Sequence, residues 1–333
     1  MRLRNLLLLS LIILVGFGCS PASDDSAGAP TAPVEPFVQG QMPDGEIPDL
    51  YYHQVFFATG EAGGDWEVGD VAIAEHGSVP DLTRLDQAVG DVPAGALLSY
   101  FVDSSPVIEG LDEQVSFIVS LDDGETWSDR IVTEIDENYL PVDPSVIQLD
   151  DGRLRMHFFD FSSTRGGGAG KTHVFYSAIS EDGIHFEIEG ASLSSEALMT
   201  DPEVISFQDK WFMYFAMHEG EDMGMWVATG SDGIVFENPV KIPEIMGIPG
   251  AMVVGEQVQL YGCDGGIVMT TSNDGIQFEE LPATTVTDEM GPGGKYILDT
   301  PALFHSEQFF CDPSPALLSD GSIGLVLKTI VEN

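Results

Sequence analysis

The chain has 333 residues, 43% of them hydrophobic, with 12 Lys and Arg against 55 Asp and Glu and a net charge of −43. That length suits one large domain with a sizeable core. The charge excludes a nucleic-acid surface, which needs a basic face, and fits a solvated acidic surface or a role in holding cations.

Taken in chain order, residues 1–18 read as an export signal. Arg2 and Arg4 form a basic start, Leu6 to Val15 is apolar apart from Ser10, and Gly16-Phe17-Gly18-Cys19 follows. A membrane-spanning helix needs about 20 apolar residues, more than this stretch offers. Small residues before a Cys resemble a bacterial lipobox, with Gly16 where Leu is usual. That resemblance implies lipidation at Cys19, and Ser20 behind it resembles lipoproteins sent to the outer membrane. Residues 19–46 contain Pro21, Pro30, Pro33 and Pro36 among Ser, Ala, Gly and Asp. They are expected to form a flexible tether.

From residue 47 to 333 two short repeats interleave. The first is Asp-Gly-x-x-aromatic, at Asp123–Trp127, Asp182–Phe186, Asp232–Phe236 and Asp274–Phe278, with a degenerate copy at Ala62–Trp66. The second is a Pro that opens an apolar stretch: Val79-Pro80-Asp81, Asp143-Pro144-Ser145, Asp201-Pro202-Glu203, Ile248-Pro249-Gly250 and Asp312-Pro313-Ser314. Asp-Gly between β-rich runs marks a hairpin, and Pro suits a strand start. Each Pro unit therefore supplies strands A and B of a blade, and each Asp-Gly unit supplies strands C and D. The recurrence predicts an all-β, five-bladed β-propeller. Its blades span about 79–134, 143–190, 201–240, 248–282, and 312–330 completed by 51–68. The N-terminal strands close the ring and remove exposed sheet edges.

Ser120-Leu121-Asp122-Asp123-Gly124-Glu125-Thr126-Trp127 resembles the sialidase Asp-box. The Asp-Pro starts and the five-blade count resemble the arabinanase, levansucrase and invertase superfamily, especially family 43 glycoside hydrolases. That resemblance implies a glycosidase-like propeller. Asp143 matches the family's acid-tuning Asp, and Asp201-Pro202-Glu203 lies where the family's acid is sought. Val79 stands where the first blade should carry the Asp general base, with Asp81 displaced by two.

Strand alternation puts the D–A and B–C connections on one face and the Asp-Gly turns on the other. The first face gathers Asp143, Asp201, Glu203 and Asp312 as catalytic candidates, with Asp81, His157 and His218 as binding candidates. Glycoside hydrolysis needs paired carboxyls, one as acid and one to activate water or attack. Converging carboxylates also suit a bound cation, with Ca²⁺ as the candidate cofactor. Loops 161–172, 217–223 and 283–311 are expected on this face. The chain has no His-x-x-x-His, Cys-x-x-Cys or Gly-x-Ser-x-Gly motif, which removes the zinc and serine hydrolase readings.

With Cys19 assigned to lipid, Cys263 and Cys311 remain for a disulfide in an oxidising compartment. Two functions stay open. One is a surface-anchored lipoprotein hydrolysing glycosidic bonds. The other is a non-catalytic propeller that binds a glycan or protein. Either implies a carbohydrate or protein ligand at the funnel face, membrane contact through lipid only, no nucleic acid, and a monomer.

Overall fold

The computed structural model describes residues 49–61, 66–164, 172–219, 222–263, 267–280 and 310–330. The leader, Cys19 and the tether lie outside the described residues. The strands are β1 (His53–Gly60), β2 (Trp66–Val68) and β3 (Ala74–Glu75), then four blades in succession. The first blade holds β4 (Gly77–Arg84), β5 (Leu97–Asp103), β6 (Gln114–Ser120) and β7 (Ile131–Val132). The second holds β8 (Pro141–Gln148), β9 (Leu154–Asp160), β10 (His173–Ser180) and β11 (Glu187–Ser195). The third holds β12 (Met199–Phe207), β13 (Lys210–Glu219), β14 (Asp222–Gly230) and β15 (Glu237–Ile242). The fourth has three strands among the described residues, β16 (Gly250–Val254), β17 (Gln257–Cys263) and β18 (Ile267–Ser272).

The fifth blade closes the ring. Its strands β19 (Phe310–Leu317) and β20 (Ile323–Ile330) continue into β1 and β2, so the order is β19-β20-β1-β2. The junction pairs His53 with Ile330 through to Gly60 with Ile323. This chain is a five-bladed β-propeller closed by its N-terminal strands.

The core lies in five seams between blades. Tyr100, Phe117, Leu154 and Phe158 fill the first–second seam, and Phe175, Met213 and Phe215 the second–third. Phe212, Tyr214 and Leu260 fill the third–fourth. Tyr261, Phe310 and Leu325 fill the fourth–fifth, and Val55, Phe101 and Val326 the fifth–first. The aromatic of each C–D turn joins one of these clusters. Phe186, Phe236 and Phe278 are buried, and Trp127 packs against Phe57 with ring centroids 5.5 Å apart.

The turns themselves are hydrogen-bonded devices. Ser180 Oγ accepts from Gly183 N–H at 2.9 Å, and Asp182 Oδ1 accepts from Ile184 and His185 N–H. The Ser272–Gln277 turn repeats this pattern. The first turn is one residue longer. There Asp122, not Asp123, accepts from Thr126 N–H at 2.8 Å, while Asp123 pairs with Arg84 at 2.5 Å.

Two sequence expectations need correction. Residues 217–223 are not a loop, because β13 and β14 carry the hairpin out to Glu219 and Asp222. The Asp-Pro pairs are not strand starts. Asp143, Asp201 and Asp312 lie two residues inside β8, β12 and β19, at left-handed φ values of 53°, 55° and 51°. Val79 in β4 adopts the same conformation, at 44°. Each interrupts the pairing with strand B, between Val142 and Ser145, Thr200 and Glu203, Cys311 and Ser314, and Ser78 and Asp81. The repeat is thus a bulge, which re-aims one side chain per blade.

Candidate functional site

The bulge sorts the carboxylates into two layers. Residues just after the Pro point sideways into the next blade. Ser314 Oγ accepts from Leu82 N–H at 2.9 Å, and Asp81 Oδ2 from Val146 N–H at 3.1 Å. Ser145 Oγ accepts from Val204 N–H at 3.0 Å, and Glu203 Oε1 from Ala251 N–H at 3.1 Å. These four bonds stitch blades five to one, one to two, two to three, and three to four. Asp81 and Glu203 are therefore clasps between inner strands. Burial raises the Asp81 carboxyl to about 7, against hydrogen bonds from Val146, Thr83 and Ser314. Burial, then the Asp81 charge, raises Glu203 well above its ordinary value.

The residues before the Pro form the second layer. Asp143, Asp201 and Asp312 come together with Lys328 of β20. Lys328 Nζ lies 2.7 Å from Asp312 Oδ2, and Asp201 N–H points at Asp143 Oδ2 at 3.4 Å. Asp201 is 8% exposed and Asp312 2%, while Asp143 is half-buried. Asp312 Oδ1 has no hydrogen-bond partner among the described residues. Burial, then the Asp312 charge, raises Asp201 to about 7. Burial, then the Asp201 charge, raises Asp143 well above its ordinary value. Burial pulls the Lys328 ammonium down, but Asp312, Asp201 and Asp143 outweigh it and hold its pKa above the ordinary value. The cluster thus brings its own cation, where the sequence pointed to a bound Ca²⁺ as one resolution of the repulsion.

All five blades line the cavity at this level. Val79, Pro80, Pro144, Asp201, Glu203, Ile248, Pro249 and Asp312 enclose about 10 Å³, room for roughly one water. A larger groove of about 320 Å³ lies on the opposite face around Arg153, Asp182 and His185. His185 there pairs with Asp182, and Arg153 with Asp151, each at 2.7 Å.

The two histidines lie elsewhere. His157 is fully buried, with Nδ1 3.2 Å from Ser192 Oγ and its ring against Phe236 at 5.5 Å. It packs into the second–third seam, not into the cavity. Burial, then Arg155, lowers its pKa to about 3, so the ring is neutral. His218 is half-buried near the end of β13, and its N–H donates to Leu198 O at 2.9 Å. Cys263 and Cys311 are joined, with Cα atoms 5.3 Å apart, and Asp312 follows directly.

Lys328 escaped the sequence reading. Its signal was a lone charged residue in Ile323-Gly324-Leu325-Val326-Leu327-Lys328-Thr329-Ile330, an otherwise uncharged, largely apolar run. Strand pairing sets Lys328 opposite Cys311, next to the Asp312 bulge.

By sequence, the chain matches no protein-family model and no curated protein. By structure it resembles an α-L-arabinanase of Penicillium chrysogenum complexed with arabinobiose, at 13% identity and TM-score 0.50, covering 82% of this chain and 93% of that one. It also resembles a protein of unknown function from Dyadobacter fermentans, at 14% identity and TM-score 0.51, covering 81% and 82%. An α-L-arabinofuranosidase from Lactobacillus brevis matches at 11% identity and TM-score 0.50, covering 75% and 82%. Identities this low speak to fold and not to activity. The chain has the five-bladed β-propeller fold that these structures share.

Proposed function

We propose that this protein is an exported, lipid-anchored propeller that binds a glycan at the strand-A face without hydrolysing it. One observation carries the reading. Lys328 Nζ lies 2.7 Å from Asp312 and also feels the charges of Asp201 and Asp143, while the first blade presents Val79 at the equivalent bulge. Hydrolysis needs two carboxyls about 5–9.5 Å apart with the sugar between them. A cavity of about 10 Å³ leaves no room for a ring between these groups. A sugar lying across the cavity mouth could instead donate its hydroxyls to half-buried Asp143. The fold resembles an arabinanase seen with arabinobiose, which makes a glycan the ligand class to try first.

The second reading is slow hydrolysis. Asp201, with its pKa near 7, adjoins Asp143, which burial also raises, and adjacent carboxyls with raised pKa values are what acid–base catalysis uses. One experiment separates the two. Plant and algal oligosaccharides are incubated with the purified protein, and both reducing-sugar release and calorimetric binding are recorded. Binding without release supports the proposal; release abolished by Asp201→Asn supports the hydrolase. Anchoring has its own test. Mass spectrometry should find acylated Cys19 at the mature N-terminus, and Cys19→Ser should free the protein from the membrane fraction.

A further inference from the structure

We infer that Trp211 floors a second glycan site, on the turn face opposite the funnel, which takes a neutral pyranose oligosaccharide. None of the funnel residues takes part, so this site and the funnel-face reading stand or fall separately. A groove of about 490 Å³ lies between the second and third blades, bounded by the A–B hairpins 147–151 and 206–211 and by Asp232. That volume is within the roughly 300–1,000 Å³ of small-molecule sites. A sugar ring fits here, where the axial cavity of about 10 Å³ admits none. Ser206 also lines a groove of about 550 Å³ between the third and fourth blades, so the two grooves meet.

Trp211 exceeds what the fold needs. At its equivalent place in strand B the other blades carry Leu97, Leu154, Val258 and Ile323, all buried aliphatics. Trp211 is half-buried, and its exposed part lines the groove. The ring is backed on one side. A Cβ on Gly233 would lie 2.6 Å from Trp211 Cδ2 and 2.7 Å from Cε2. Those atoms form the fused bond, which only a ring face presents together, so Gly233 covers one face. Arg155 stands 5.9 Å from the ring centre, donates to both Glu189 oxygens at 2.6 and 2.9 Å, and donates to Asp232 O at 3.1 Å. The indole is thus fixed before a ligand arrives, which lowers the ordering cost of binding.

Chemistry selects a neutral sugar. A pyranose offers C–H groups on its faces, which suit the negative face of an indole. Its edge offers hydroxyl donors, and exposed Asp150, Asp209 and Ser206 at the groove carry acceptors for them. An anionic sugar would meet those carboxylates, while Arg155, the basic group of the lining, is committed to Glu189. A cationic ligand would approach a ring that already has Arg155 against it.

The mature, full-length protein is oxidised with limiting N-bromosuccinimide, alone and with cellotetraose, tetragalacturonate or tetralysine, and indole oxidation is read by peptide mass spectrometry. Cellotetraose should slow oxidation of Trp211 severalfold and leave half-buried Trp127 unchanged. The two charged probes should leave both unchanged. In calorimetric titration, Trp211→Ala should weaken cellotetraose binding about tenfold or more, as loss of a central aromatic does, and Trp211→Phe should recover part of it. Should Trp211→Ala fail to fold, protection in the unmodified protein decides. Protection by tetralysine and not by cellotetraose overturns the inference and makes the groove a cation site. Protection by tetragalacturonate equal to that by cellotetraose overturns the neutral-sugar assignment. Cellotetraose binding that leaves Trp211 unprotected and disappears in Asp143→Asn overturns the second site and leaves the funnel-face reading standing. Trp211 protection that persists in Asp143→Asn, with an unchanged isotherm, supports the second site and counts against the funnel. No binding of cellotetraose overturns the inference, whatever other oligosaccharides do at the funnel.

Discussion

Gly250 faces Pro315 at the fourth–fifth seam, where the other four seams each place a hydrogen-bond acceptor against a backbone N–H. A Cβ at residue 250 would collide with the Pro313 carbonyl and lie 3.1 Å from Pro315 Cδ. Gly has no side-chain acceptor and Pro no donor, so this seam lacks the stitch that Ser314, Asp81, Ser145 and Glu203 supply elsewhere. The Cys263–Cys311 bond joins the same two blades. A covalent link thus stands where the hydrogen-bonded ring is open.

Removing that link should cost more than removing any one stitch. The disulfide closes a span of 48 residues, worth about 4 kcal/mol on the chain-entropy model. Ser145→Ala, which leaves Val204 N–H without its acceptor, should cost about 1 kcal/mol. Urea unfolding of the Cys263→Ser/Cys311→Ser variant and of Ser145→Ala checks the order. Equal losses would show that the seam is held by packing alone.

Lys328→Met should destabilise strongly, by about 3–5 kcal/mol, because it strands Asp312 as a buried carboxylate. The double variant Lys328→Met/Asp312→Asn should recover most of that loss. Denaturation midpoints of the two single variants and the double one form the cycle. A double variant no better than Lys328→Met would mean that the Lys stem, not the ion pair, carries the effect.

Stability should fall as pH rises from about 4 to about 7 and beyond. Asp81 and Asp201 both titrate near 7 when folded, against an ordinary value of 3.8. The folded state therefore binds protons that the unfolded chain releases. The stabilisation is complete below the unfolded pKa and is lost as pH passes the folded one. The difference between pH 5 and pH 8 should reach a few kcal/mol, and Asp201→Asn should reduce it. A flat profile over this window would contradict the burial of these carboxyls.

Gly233→Ala should lower stability by about 1–3 kcal/mol without altering ligand affinity at the funnel face. Gly233 has φ +70°, and a Cβ there would meet Trp211 Cδ2 at 2.6 Å and Arg155 Nη1 at 2.9 Å. Gly110→Ala is the comparison. Its φ is +78° with nothing within 4 Å, so only the backbone cost of about 1 kcal/mol applies. Thermal unfolding and calorimetric titration of both variants provide the test.

The repeats made the architecture legible in the amino-acid sequence. An aromatic three residues after each turn Gly must pack between blades, and a C–D half at the start with an A–B half at the end must pair. Both are local patterns repeated at fixed spacing, which is the information a sequence carries well. The repeat also brought Asp143, Asp201 and Asp312 to equivalent positions. Their roles were decided only by tertiary structure. Asp81 and Glu203 became clasps because the bulge turns the residue after Pro toward the next blade's N–H. His157 became a seam residue because Ser192 and Phe236 enclose it. Lys328 reached Asp312 because the β19–β20 hairpin sets it opposite Cys311, and the closed ring then brings Asp143 and Asp201 to the same pair. Sequence spacing fixes which residues are equivalent; only the closed ring fixes which charges meet, because Coulomb energy and desolvation depend on distance and burial across blades.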